Sequence, residues 1–104
     1  MDQVADGGVP KTTLLVPGSD DVIVLLDPER RPEGVLPWHP FHNVMRVERS
    51  GLVRWRAELV PGETTAKCWL GIEWDGRRLR AWTYSHDCEL DTGTGAIIRT
   101  TFTK

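Results

Sequence analysis

The longest alternating stretch of the chain runs from Lys67 to Tyr84 and reads as one β-hairpin. Asp75-Gly76 supplies the two left-handed positions that a tight type I′ turn requires, with period-two alternation on either side. That turn implies a register. Trp74, Ile72, Leu70 and Cys68 face Arg77, Leu79, Ala81 and Thr83, and this is the expected core face. Glu73, Gly71, Trp69 and Lys67 face Arg78, Arg80, Trp82 and Tyr84 on the other side. The second face collects indoles, a phenol and cations, which suits packing on a second sheet or binding a partner.

Taken from its start, the chain opens with a polar, Gly- and Asp-rich segment over residues 1–10, expected to be a loose terminus. Lys11–Val16 has the β-branched content of a first strand. Pro17-Gly18-Ser19-Asp20 is a turn cluster. The unbroken apolar run between Asp21 and Asp27 has strand length and two covered faces, which places it centrally in a sheet. Residues 28–41 carry Pro28, Pro32, Pro37 and Pro40 and read as extended loop. The apolar second half of that loop, Val35 to His42, is expected to pack as a lid over one end of the core.

Asn43–Arg49 and Leu52–Leu59 form the next hairpin around Ser50-Gly51, with Trp55 opposite Arg46 as a cation–π pair. Beyond the central hairpin come a turn at Tyr84-Ser-His-Asp87, a strand over Asp87–Asp91, a loop over Thr92–Gly95 and a last strand over Ala96–Thr103. No segment of helical length shows a 3.6-residue period. The expected fold is therefore a single all-β domain over 11–104, an antiparallel meander of seven or eight strands.

The chain also repeats itself. A shift of 44 residues lays His42 on His86, Asn43 on Asp87, Ser50-Gly51 on Thr94-Gly95, Val53 on Ile97 and Trp38 on Trp82. That period fits a four-stranded propeller blade. On these residues the chain resembles the blade repeat of quinoprotein-type (PQQ-like) β-propellers, in which Leu-Asp-x-x-Thr-Gly-x-x-x-Trp spans the turn between two strands. The second copy has Leu90-Asp91-Thr92-Gly93-Thr94-Gly95, with Arg99 where the Trp belongs. The first has Ser50-Gly51 and Trp55, with Arg46-Val47 in place of Leu-Asp. The resemblance implies two consecutive blade-like units, about 11–60 and 66–104, with the Trp docking neighbouring blades. It does not imply the quinone, and no cofactor is expected. Two blades cannot close a ring, so the units pack as a sandwich or half-open barrel, or several chains assemble one.

Composition narrows the function. At 104 residues the chain is one domain that can bury roughly two-thirds of its unfolded surface without a disulfide or metal. A net charge of −2 gives no electrostatic reason to bind nucleic acid or an anionic membrane. The acidic opening lacks the layout of a signal peptide, and no apolar run reaches membrane-spanning length. A cytoplasmic bacterial protein is the expectation, with Arg in excess of Lys hinting at a GC-rich genome. Cys68 and Cys88 are then reduced.

Three candidate chemistries can be weighed. His39, His42, His86, Cys68 and Cys88 are metal-ligating types, but no C-x-x-C or H-x₃₋₅-H spacing frames them. Continued pairing would set Cys68, Thr83 and Cys88 in a row across three strands, about 9–10 Å between the cysteine Cα atoms. That is beyond disulfide reach. Ser85-His86-Asp87 reads as turn chemistry rather than a catalytic triad, because neighbours in extended chain point apart. The face bearing Trp69, Trp82, Tyr84 and Arg80, with Trp38 from the Pro-rich loop, has the chemistry of an interface or stacking platform. The expectation is a small, soluble, non-enzymatic interaction module that binds a protein partner or assembles with itself. The alternative is a small-ligand or metal-binding protein using the His and Cys residues near the 84–88 turn.

Overall fold

A computed structural model of the chain describes residues 8–36, 39–61 and 68–103. Every regular element among them is a strand: β1 (Pro10–Leu15), β2 (Val22–Leu26), β3 (Val44–Val47), β4 (Val53–Arg56), β5 (Gly71–Asp75), β6 (Arg78–Trp82), β7 (His86–Leu90) and β8 (Ile97–Phe102). They form two antiparallel four-stranded sheets, each in chain order, and neither closes into a barrel. No helix among the described residues is long and apolar enough to cross a membrane. The molecule measures 35 × 34 × 18 Å. Its short axis is two sheet layers thick.

The core follows from the pleat. Ile23 and Leu25 of β2 point toward the second sheet and meet Ile72, Leu79, Ala81, Cys88 and Leu90, with Val44 and Ala57 beside them. Val24 and Leu26 point the other way into a second cluster with Met45, Val47, Phe41 and Cys68. β2 is thus buried on both faces, as its unbroken apolar run requires. Val35 and Phe41 of the Pro-rich loop form part of that outer cover. Arg31 braces the loop by donating to Leu36 O at 3.2 Å and His39 O at 2.8 Å, with its guanidinium 5.4 Å from the Phe41 ring centroid. At the other end, Gly8 is buried against Leu26, and Val9 O accepts the Asp27 N–H at 2.7 Å. Ordered pairing therefore begins before Lys11.

The central hairpin differs from its expected register. Gly71 pairs with Trp82, Ile72 with Ala81, Glu73 with Arg80, Trp74 with Leu79 and Asp75 with Arg78. The loop is Gly76-Arg77, and Gly76 alone has a positive φ, +62°. A type I′ turn at Asp75-Gly76 would need Asp75 in left-handed space; a loop with glycine first, as in type II′, needs only the glycine there. The two-residue slide keeps every side chain of β5 and β6 on its predicted face, because the pleat repeats every two residues. It changes every partner. Trp69 has no place opposite Trp82.

The alternation also breaks just before β5. Trp69 is fully buried in the inter-sheet core on the same side as Ile72, whereas Cys68 and Leu70 join the outer cluster of the first sheet. Asn43, itself fully buried, holds this crossing point. Its Oδ1 accepts the Trp69 N–H at 2.8 Å, and its Nδ2 donates to Trp69 O at 2.7 Å and Leu26 O at 3.0 Å. The amide thus ties the entry of the second sheet to the edge of β2. Cys68 and Cys88 consequently lie in different clusters, both reduced, and the expected cysteine row does not form.

Three indoles stitch the sheets together. Trp55 of β4 donates to Thr92 O at 2.9 Å, Trp69 to Glu58 O at 3.0 Å and Trp74 of β5 to Leu15 O at 2.9 Å. Each N–H reaches a backbone carbonyl of the other unit. Trp55 also lies where a Cβ at Gly95 would be, so glycine there admits the ring as well as the +78° φ of the loop. Arg46 pairs with Trp55 as expected, but the two work through a shared acceptor, since Arg46 Nη1 donates to the same Thr92 O at 2.9 Å.

Candidate interaction surface

Among the described residues, the outer face of the second sheet has no counterpart to the loop segments that pack on the first. Alternation sends Glu73 and Asp75 of β5, Arg78, Arg80 and Trp82 of β6, Asp87 and Glu89 of β7, and Arg99 and Thr101 of β8 to this side. Signs alternate between neighbouring strands: Arg80 lies between Glu73 and Glu89, and Glu89 between Arg80 and Arg99. Opposite charges placed directly across a ladder stabilise it modestly. The face is a solvated mixed-charge surface that holds an open groove of about 280 Å³.

Arg80 is its centre. The guanidinium donates to both carboxylate oxygens of Asp87, Nε to Oδ1 at 3.2 Å and Nη2 to Oδ2, while Nη1 donates to Glu73 Oε1. The Asp87 hydrogen bond first, then the negative charges of Asp87, Glu73 and Asp75, hold its proton more firmly than usual. Its Cζ sits 6.0 Å from the Trp82 ring centroid. The Trp82 indole in turn occupies the space over Gly71, where a Cβ would collide with the ring. Two carboxylates and a bare backbone position therefore fix an arginine and a tryptophan side by side.

Of the residues expected at the site, Arg80 and Trp82 come together on this face. Tyr84 is exposed just past the end of β6. Trp69 is carried into the core, because its N–H and carbonyl are anchored to Asn43, and the ladder with β6 is joined only from the Leu70 N–H, which donates to Trp82 O. Trp38 lies outside the described residues. Asp87 and Glu73 are the partners that residue types alone did not single out. Cross-strand neighbourhood with Arg80 identifies both, once the loop is set one residue later.

The metal-ligating types are dispersed. His39 Nδ1 accepts the Leu36 N–H at 3.1 Å, His42 Nδ1 sits 3.3 Å from Ala57 O, and His86 Nδ1 sits 3.1 Å from Ser85 Oγ. Among the described residues no group of three or more His, Cys, Asp or Glu side chains could hold a metal ion. The turn before β7 is organised by Thr83, whose Oγ1 accepts the N–H groups of Ser85 and His86. It does bring Ser85 against His86, but the Asp87 carboxylate is on the opposite face in the hands of Arg80.

No curated protein and no solved structure matches the chain. Residues 13–102, which span β2 to β8 and half of β1, match the model of one family, and the chain belongs to that family, described as a domain of unknown function (DUF7957).

Proposed function

We propose that this chain is a small soluble interaction module, non-catalytic and cytoplasmic, whose contact surface is the outer face of the second sheet around Arg80 and Trp82. The observation that carries this reading is the different use made of the tryptophans. Trp55, Trp69 and Trp74 are spent on carbonyls of the opposite sheet, while Trp82 is kept on the outer side beside a guanidinium. Tryptophan and arginine held in place in advance lose little entropy on docking, and they dominate interface energetics. The outer face of the first sheet is instead partly covered by Val35 and Phe41, beside an open groove of about 350 Å³ lined by Thr13, Val22, Val24 and Val47.

On this proposal the two sheets are degenerate blades of the quinoprotein type, used as a scaffold without a quinone. Two features support it. The β3–β4 and β7–β8 ladders each carry a register shift near a loop with a left-handed glycine, Gly51 or Gly95. Trp55 docks on the Thr92–Gly95 loop of the neighbouring unit, as the repeat resemblance implies.

The test compares wild type with an Arg80→Ala/Trp82→Ala double variant, both confirmed folded by circular dichroism. Each is run in sedimentation and in affinity capture from a lysate of the native cell. Self-association or a captured protein that is lost in the double variant is the expected result. A monomeric wild type whose captured set equals that of the variant removes the reading.

A further inference from the structure

We infer that β8 is a docking edge for a second copy of this chain, pairing antiparallel with its own equivalent so that two second sheets join into one of eight strands. This goes beyond the reading above by assigning the chain a second contact, separate from the Arg80–Trp82 face. Within the described residues β8 pairs with one strand only, β7, and at its start the Ile97 N–H donates to Glu58 Oε1 at 2.8 Å. Thr103 N–H donates to Ser85 O, so alternation points the backbone groups of Thr101 and Arg99 toward β7 and those of Thr100 and Phe102 away from it. An outward row of backbone groups on an uncovered edge is a template for another strand.

The other three edges are guarded more heavily than β8, whose own ladder with β7 shifts register at Ile98, between Ile97 and Arg99. β1 begins with Pro10 and Lys11, has a register shift between Pro10 and Thr12, and packs on β5. β5 presents Glu73 and Asp75, and β4 has four residues with Arg54 and Arg56 among them. β8 has six residues, Ile-Ile-Arg-Thr-Thr-Phe, with one charge and no proline. Two of its side chains, Ile98 at 56% and Phe102 at 65% exposure, are among the large apolar groups left in solvent.

The strand is complementary to itself in one register. A two-fold axis through Thr100 sets the outward-pointing residues of the two copies opposite each other, which is the condition for ladder hydrogen bonds. In that register Ile98 faces Phe102 of the second copy at both ends and the small Thr100 pair meets at the axis. Arg99 faces Thr101 of the second copy, and Glu89 remains across the ladder on its other side, so no like charges are placed directly opposite. A shift by one residue would oppose inward- and outward-pointing groups. The outer faces bearing Arg80 and Trp82 then become continuous across the dimer.

Sedimentation over a concentration series, with wild type, Thr100→Pro, Ile98→Asp and Trp82→Ala, tests this. Thr100→Pro removes an outward N–H and the weak Cys88 Sγ–Thr100 Oγ1 contact but no backbone hydrogen bond to β7; Ile98→Asp sets a charge against Phe102 of the partner copy and leaves the backbone unchanged. Expected are a wild-type dimer, a dissociation constant raised about tenfold or more in both edge variants, and a dimer unaltered by Trp82→Ala. If Thr100→Pro does not fold, Ile98→Asp decides. A dimer that survives the edge variants but is lost in Trp82→Ala overturns the β8 assignment and leaves the face as the contact. A wild type that stays monomeric overturns the inference, and partner capture by the Arg80–Trp82 face is then judged separately.

Discussion

Gly71 and Trp82 are direct partners across the β5–β6 ladder, and the indole fills the volume that any side chain at position 71 would need. Because Gly71 has no positive φ, the reason for glycine here is space and not backbone conformation. Gly71→Ala should force Trp82 off its seat and cost about 1–3 kcal/mol, the usual range for overpacking. Urea unfolding gives the stability change. Loss of the Arg80–Trp82 neighbourhood should appear as changed chemical shifts at both residues.

The tryptophans should separate by their role. Trp69→Ala removes a fully buried side chain and leaves Glu58 O without its donor, for an expected loss of about 3–5 kcal/mol. Trp82→Ala, on the half-buried outer face, should cost under about 1.5 kcal/mol. Equal losses in matched denaturation curves would contradict the division into core and surface indoles.

Asn43 is the polar residue on which the crossing between sheets turns. Asn43→Ala would strand three buried backbone groups, Leu26 O, Trp69 O and Trp69 N–H. A cost of about 2–4 kcal/mol is expected, more than for any exposed hydrogen-bonding residue. Asn43→Asp keeps the acceptor and loses the donor, so it should fall between alanine and wild type at neutral pH only if the buried charge is neutralised. Chemical denaturation of both variants over pH tests this order.

Acid should weaken the fold partly through Asp21. Its carboxylate accepts from Arg46 Nε at 2.7 Å and Arg54 Nη1 at 3.3 Å. The Arg46 hydrogen bond, against an opposing burial effect, holds its pKa below the ordinary carboxylate value, with the charge of Arg46 and the contacts of Arg54 adding to it. A depressed folded pKa means stability that is complete above the unfolded value and is lost as pH falls through the folded one. The window therefore lies below about pH 4. Melting temperatures followed downward from neutral pH should fall more steeply for wild type than for Asp21→Asn in that window.

Much of this architecture is legible from residue order. The strand segments, the doubly covered β2 and the lid-like packing of Val35 and Phe41 follow from periodicity and prolines. The hairpin register did not follow, because Asp-Gly fits two loops that differ by one position and only the positive-φ demand on Asp75 distinguishes them. Trp69 escaped for another reason. Alternation holds only while a chain stays in one ladder, and at Trp69 the backbone is pinned by the side-chain amide of Asn43, 26 residues earlier. Arg80 and Trp82 were recognisable as an aromatic–cation pair; their immobilisation by Asp87 and Gly71 depends on that same register.

The three indole bridges make the chain divisible by sequence but not by energetics. Each sheet closes its ladders with its own neighbours, yet the acceptors that satisfy Trp55, Trp69 and Trp74 all belong to the opposite half. Severed between the sheets, the two pieces would each expose a greasy face studded with unmatched donors. Mixed again, they would have every reason to reunite, which makes this small protein a natural framework for split-fragment reconstitution.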